Sequence, residues 1–179
     1  ATGIMVDFSR LSFEENVKNT RKAVEECSAL KIGVEGELGA IGKAADGVPE
    51  DYTDPIDAAK YVKETGVTAL AIAVGTAHGR YKKAPVLAIE RIKEIKNATN
   101  AYLVLHGGSG VPDEQVRAAI KAGIRKVNFG TDLCYSYLDE IFNTDRSKVA
   151  VDLFMAGPIE AVKKFAESKI ELLGAENGI

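Results

Sequence analysis

Two histidines, the only two in the chain, are the residues most suited to chemistry: His78 in GTAHGRYK and His106 in LHGGSG. Each follows an apolar run and precedes a glycine, so each is expected in a turn just past a strand. Neutral imidazole is the commonest transition-metal ligand, and two imidazoles with a third ligand leave a position open for substrate. Without a metal, the same rings would act as general acid and base. Glu35 and Glu37 in VEGELG alternate along an expected strand and so project to one face. Two carboxylates inside a sheet must be ion-paired, protonated or metal-bound, because burying them bare costs several kcal/mol. Lys82 and Lys126 are the candidate cationic partners. Asp7, at the end of the preceding strand, could join the glutamates around a second cation.

The run HGGSG before Pro112 is a glycine-rich turn at a helix start. Its backbone N–H groups and the Ser109 hydroxyl suit a phosphate, assisted by the helix dipole. Such turns are common, and the pattern alone is not diagnostic. Lys82 reads either as a phosphate-neutralising charge or as a solvated lysine beside Lys83. Asn128 and Thr131 in NFGTD offer donors at the next helix N-terminus.

These residues need a scaffold, and the pattern supplies one. Strands are expected at 4–6, 32–38, 68–74, 101–105 and 126–129. Helices alternate with them. Ser12 and Glu15 form a capping box for a helix to about Leu30, with Phe13, Val17, Ala23, Val24 and Cys27 as its core stripe. Asp54-Pro55 starts a second helix that ends before Gly66. Further helices are expected at 85–98, from Pro112 to Gly123, at 131–143 and at 149–173. Five βα units with a last helix imply a parallel sheet, whose chemistry sits at the C-terminal strand ends. Every expected strand delivers polar residues to that rim.

The 179 residues, 46% hydrophobic and 27% charged, suit a soluble globular protein and one domain over 1–179. A net charge of −3 argues against nucleic acid. No apolar run approaches the roughly 18 residues of a membrane span, and no signal peptide is visible. Cys27 and Cys134 form no CxxC motif and read as structural thiols of a reduced, cytoplasmic protein. The opening ATGIMVD runs almost at once into a strand, as an internal start would.

GTAHGRYK, LVLHGGSGVPDE and KVNFGTD, with VEGELG and YTDP, resemble the class II, metal-dependent ketose-bisphosphate aldolases, of fructose- or tagatose-bisphosphate type. The resemblance covers almost the whole chain in order. It implies a (β/α)8 TIM barrel of which this chain is the C-terminal part, strands 4–8, with about three more strands before Ala1. It implies a divalent metal, usually zinc, that polarises the ketose carbonyl and stabilises an enediolate. By position, His78 and His106 match two of three catalytic metal ligands. Glu37 and Asp7 match a secondary cation site, where the cation could be monovalent. Gly79, Lys82, Gly107, Ser109, Asn128 and Thr131 match the residues that hold dihydroxyacetone phosphate. A homo-oligomer, dimer or tetramer, is implied as well.

Four positions depart from the family pattern. The Asp-His pair that supplies proton transfer and the third ligand is absent from these residues. Ala44-Ala45-Asp46-Gly47 lacks the glutamate common before Asp-Gly. Gly130 is neither the Asp or Asn of many fructose-bisphosphate enzymes nor the Ala of tagatose-type ones. Met155 stands where arginine is often found. These departures keep two alternatives in view: a non-catalytic sugar-phosphate-binding relative or accessory aldolase subunit, and a metal aldolase for a related phosphorylated keto acid or deoxy sugar.

Overall fold

The computed structural model of the chain describes residues 1–42 and 51–176. Strands and helices alternate: β1 (Gly3–Met5), α1 (Phe13–Ser28), β2 (Gly33–Leu38), α2 (Pro55–Thr65), β3 (Ala69–Ile72), α3 (Ile89–Ala98), β4 (Tyr102–Leu105), α4 (Asp113–Ala122), β5 (Ile124–Val127), α5 (Thr131–Asn143) and α6 (Val151–Leu173). Two compact units result, 1–128 and 129–179.

In the first unit the five strands form one sheet in sequence order, every neighbouring pair parallel. Right-handed crossovers that always step the same way put every connecting helix on one face. Accordingly α1 packs on α2, α2 on α3 and α3 on α4. That progression, without a reversal of strand order, is the winding of a (β/α) barrel rather than of a doubly wound sheet.

Register separates the two faces chemically. Residues paired across parallel strands share a face. Val34, Leu70, Ile72, Leu103, Leu105 and Ile124 lie beneath the helices and are all buried. The other, inner face carries Glu35 and Glu37 against Ala69 and Ala71, which in turn pair with Tyr102 and Val104. An irregularity then intervenes: Leu103 pairs with Ile124, but Val104 pairs with Lys126. Arg125 is therefore an extra residue on β5, a β-bulge. By simple alternation Lys126 would share the helix-covered face with Ile124. The bulge turns it to the inner face instead.

The capped elements match expectation. Ser12 and Glu15 make the capping box, Asp54 caps α2 through the amides of Ile56 and Asp57, and Gly66 ends it in the left-handed conformation. Elsewhere the expectations need correction. Helix α3 begins at Ile89, because 85–88 is pinned in loop form. Gln115 accepts from the Leu87 N–H and donates to the Pro85 carbonyl, while the Ala88 N–H reaches Val74. Strand β5 starts at Ile124, directly after the Gly123 cap, and ends before Asn128. β1 is exposed, since it pairs with a neighbour on one side only.

The buried face of α1 also differs from its expected stripe. Its buried residues are Asn16, Val17 and Thr20, the rest of the stripe being half-buried. Two polar groups are admitted because α2 supplies Tyr61. The Tyr61 hydroxyl donates to Asn16 Oδ1 at 2.9 Å and lies 2.8 Å from Thr20 Oγ1. Asn16 Nδ2 donates to the Glu37 carbonyl at 2.9 Å. Burial raises the Tyr61 phenol to about 12, so it remains a donor. Gly36 is required here, because a Cβ would meet the Tyr61 hydroxyl at 2.6 Å.

In the second unit α5 and α6 pack on each other. Phe129 meets Phe165 edge to face at 6.5 Å, and Lys169 lies over both rings. Met155 accepts a hydrogen bond from the Tyr137 hydroxyl at 3.8 Å. Cys27 is half-buried and Cys134 exposed, and both are free thiols. Packing therefore does not explain Cys134. Among the described residues, no helix is long and apolar enough to cross a membrane.

Candidate functional site

The inner face and its C-terminal rim converge on His106. It follows β4 in phase with Val104, so it joins the face of Glu35 and Glu37, and it is 5% exposed. Its Nε2 lies 2.8 Å from Glu35 Oε1 and its Nδ1 3.2 Å from Glu37 Oε2. The second Glu35 oxygen accepts from Lys126 Nζ at 2.7 Å. Of the two lysines expected to neutralise the glutamates, Lys126 does so for Glu35, whereas Lys82 lies exposed in the loop after His78.

Charge in this cluster is nearly balanced. Burial opposes an imidazolium at His106, but hydrogen bonds and charge from both glutamates outweigh it and raise the pKa to about 9. Burial likewise opposes the Glu35 carboxylate, and His106 and Lys126 reverse that, holding its pKa below the usual value. Two carboxylates, one imidazolium and one ammonium leave no net charge.

The Glu37 Oε1 atom faces β1. Ser9 Oγ stands between it and Asp7, at 3.2 Å from Glu37 Oε1 and 2.7 Å from Asp7 Oδ1. The Ile41 N–H also points to Glu37 Oε1 at 3.4 Å. Asp7 and Glu37 are thus brought together through a serine that the sequence reading passed over. The signal was present in the Asp-x-Ser spacing, which lets Ser9 bond back to Asp7.

His78 is exposed, and its ring centroid lies 5.9 Å from that of His106, tilted by 58°. At that spacing both rings can reach a common ion about 2 Å from each nitrogen. Two residues before His78 in the chain, Thr76 Oγ1 is a buried hydroxyl without a hydrogen-bond partner. Among the described residues no group of three or more His, Cys, Asp or Glu side chains is preformed around a metal position. The donors nevertheless fit one. Releasing the longer Glu37 contact frees His106 Nδ1, while Nε2–H stays on Glu35, the carboxylate–histidine support usual for metal-binding imidazoles.

The glycine-rich turn is tied more closely than its composition suggested. The Gly108 N–H donates to the Asn128 carbonyl and the Val111 N–H to the Gly108 carbonyl, so both amides are engaged within the protein. Gly107, at φ +67°, leaves no room for a Cβ, which would sit 2.4 Å from the Ala77 carbonyl oxygen. Ser109 is buried, Asn128 exposed, and Gly79 adopts φ +107° in open space. Gly130 and Thr131 belong to the second unit, at the start of α5. Residues 44–47, which carry the altered loop, lie outside the described residues.

A parallel barrel-type sheet thus carries an imidazole and two carboxylates on its inner face and C-terminal rim. The sequence model of the class-II fructose-bisphosphate aldolases matches residues 1–178, and the chain belongs to that family. Solved structures agree. The YdjI aldolase from Escherichia coli K12 is 36% identical and superposes with a TM-score of 0.87, over 98% of this chain and 62% of that one. A candidate fructose-1,6-bisphosphate aldolase from Coccidioides immitis gives 29% identity and a TM-score of 0.87, over 98% and 63% of the two chains. A fructose-bisphosphate aldolase from Campylobacter jejuni, 24% identical with a TM-score of 0.77 over 96% and 60%, shares the fold. The chain thus spans about three fifths of the length of these structures.

Proposed function

We propose that this chain carries metal- and phosphate-binding residues for a reversible aldol cleavage of a phosphorylated ketose. The substrate is of fructose- or tagatose-bisphosphate type, and the products are dihydroxyacetone phosphate and an aldehyde. The observation that carries this reading is the approach of the two imidazoles to 5.9 Å, at the ends of adjacent strands, beside two buried carboxylates.

His78 and His106 Nδ1 would hold a divalent ion, zinc by family preference, with Glu37 beside it. When bound, that ion polarises the ketose carbonyl. Glu35 holds the Nε2 proton of His106 and thereby selects the tautomer whose Nδ1 faces the ion. Asp7 and Glu37 would flank a second cation, monovalent or divalent. Lys82 would neutralise a phosphate, with Gly79, Gly107, Ser109 and Asn128 supplying backbone and side-chain contacts to it. No proton-transfer residue is assigned within this chain.

The test is to incubate the full-length protein with several ketose bisphosphates, with and without chelator, and follow triose phosphate release. Chelator-sensitive release is expected from at least one. No such release from any of them would favour a binding or accessory role.

A further inference from the structure

Tyr81, three residues after His78, takes no part in the reading above, yet its hydroxyl lies between both histidine loops. It accepts the Ala77 N–H at 2.7 Å. Its single proton is shared between the Ala77 carbonyl at 2.7 Å and the Gly107 carbonyl at 2.9 Å. Ala77 immediately precedes His78, and Gly107 immediately follows His106. The Tyr81 ring meanwhile packs on the Gly110 backbone, where a Cβ would come within 3.1 Å of it. The same loops touch directly, since Gly107 backs onto the Ala77 carbonyl. Burial raises the phenol's pKa, which keeps the proton on it.

We infer that Tyr81 is a positioning residue: one hydroxyl ties the chain before His78 to the chain after His106, and so sets the spacing of the two imidazoles. The β3 and β4 strands end before either histidine, so the ladder between them does not reach the rings. Exposed His78 is otherwise placed by its own backbone bond, N–H to the Gly42 carbonyl at 2.8 Å. Removing the Tyr81 hydroxyl deprives three backbone groups of their shared partner and lets the loops drift apart. Supports of this kind change metal affinity by about 10–100-fold when removed.

The inference rests on the two histidines sharing a ligand, and the experiment separates the two claims. Zinc affinity is measured in the full-length protein, in Tyr81→Phe and in His78→Ala, alongside the unfolding midpoint of each metal-free form. Tyr81→Phe is expected to bind zinc about 10–100-fold more weakly while still folding, with a metal-free midpoint modestly below the parent's, and its cobalt-loaded form to show a shifted visible spectrum. Parental zinc affinity and an unchanged cobalt spectrum in Tyr81→Phe would overturn the role of Tyr81 alone. Parental affinity in His78→Ala would overturn the shared-ligand reading, and the inference with it. Should Tyr81→Phe not fold, amide exchange on the parent protein decides. The Ala77 amide is expected to be protected, and more so with zinc; exchange at the rate of an open loop overturns the assignment.

Discussion

His106 stands between two carboxylates, and its proton is the group that the proposed metal would displace. With a pKa of about 9 against an ordinary 6.5, the charged ring stabilises the folded, metal-free state. That contribution is fully present below about pH 6.5 and is lost as pH rises through about 9. The unfolding midpoint of the metal-free protein should therefore fall across that window, as thermal scans at successive pH values would show. Zinc affinity should rise over the same range, with proton release visible in calorimetry in buffers of different ionisation enthalpy. Replacing Glu35 by Gln should pull the His106 pKa back towards its ordinary value, measurable from its ring resonances. The histidines and glutamates were legible because their types are costly to bury and their phases agree. Their contacts were not: Glu35 and His106 are 71 positions apart, and no local pattern encodes which oxygen meets which nitrogen. Tyr81 and Ser9 escaped notice because a tyrosine and a serine in loops usually mean nothing.

Elements announced themselves wherever a cap marks them. The capping box at Ser12, the Asp54-Pro55 start and the Gly66 stop each act within a few residues, so sequence reports them directly. The start of α3 could not be read that way, because Gln115 on α4 holds the loop before it. The polar side of α1 was hidden for the same reason, since Tyr61 arrives from α2. Asn16→Ala would leave the Glu37 carbonyl and the Tyr61 hydroxyl short of partners, and should destabilise the protein by about 1–3 kcal/mol in urea unfolding. Gly36→Ala, which forces a Cβ towards that hydroxyl, should destabilise by about 1–3 kcal/mol. Destabilisation well below 1 kcal/mol in both variants would show the network to be incidental.

At the scale of the whole molecule, the winding of the sheet was legible because alternation and strand order leave few topologies. β1 and β5 each have one neighbour in this sheet, and Ile4, Met5 and Tyr102 are exposed. Unpaired strand edges recruit other chains. The chain should accordingly self-associate in light scattering; a monodisperse monomer with one cooperative transition would contradict this. Arg125 shows how such a sheet can be edited. Along a strand, side-chain direction is a two-letter code, and one inserted residue inverts its reading downstream. Deleting Arg125 would remove the bulge and place Lys126 directly after Ile124, still opposite Val104 on the inner face, so Glu35 should keep its ammonium. Chain length would then have changed without moving the charge. A deletion variant whose His106 titration shifts would refute that account.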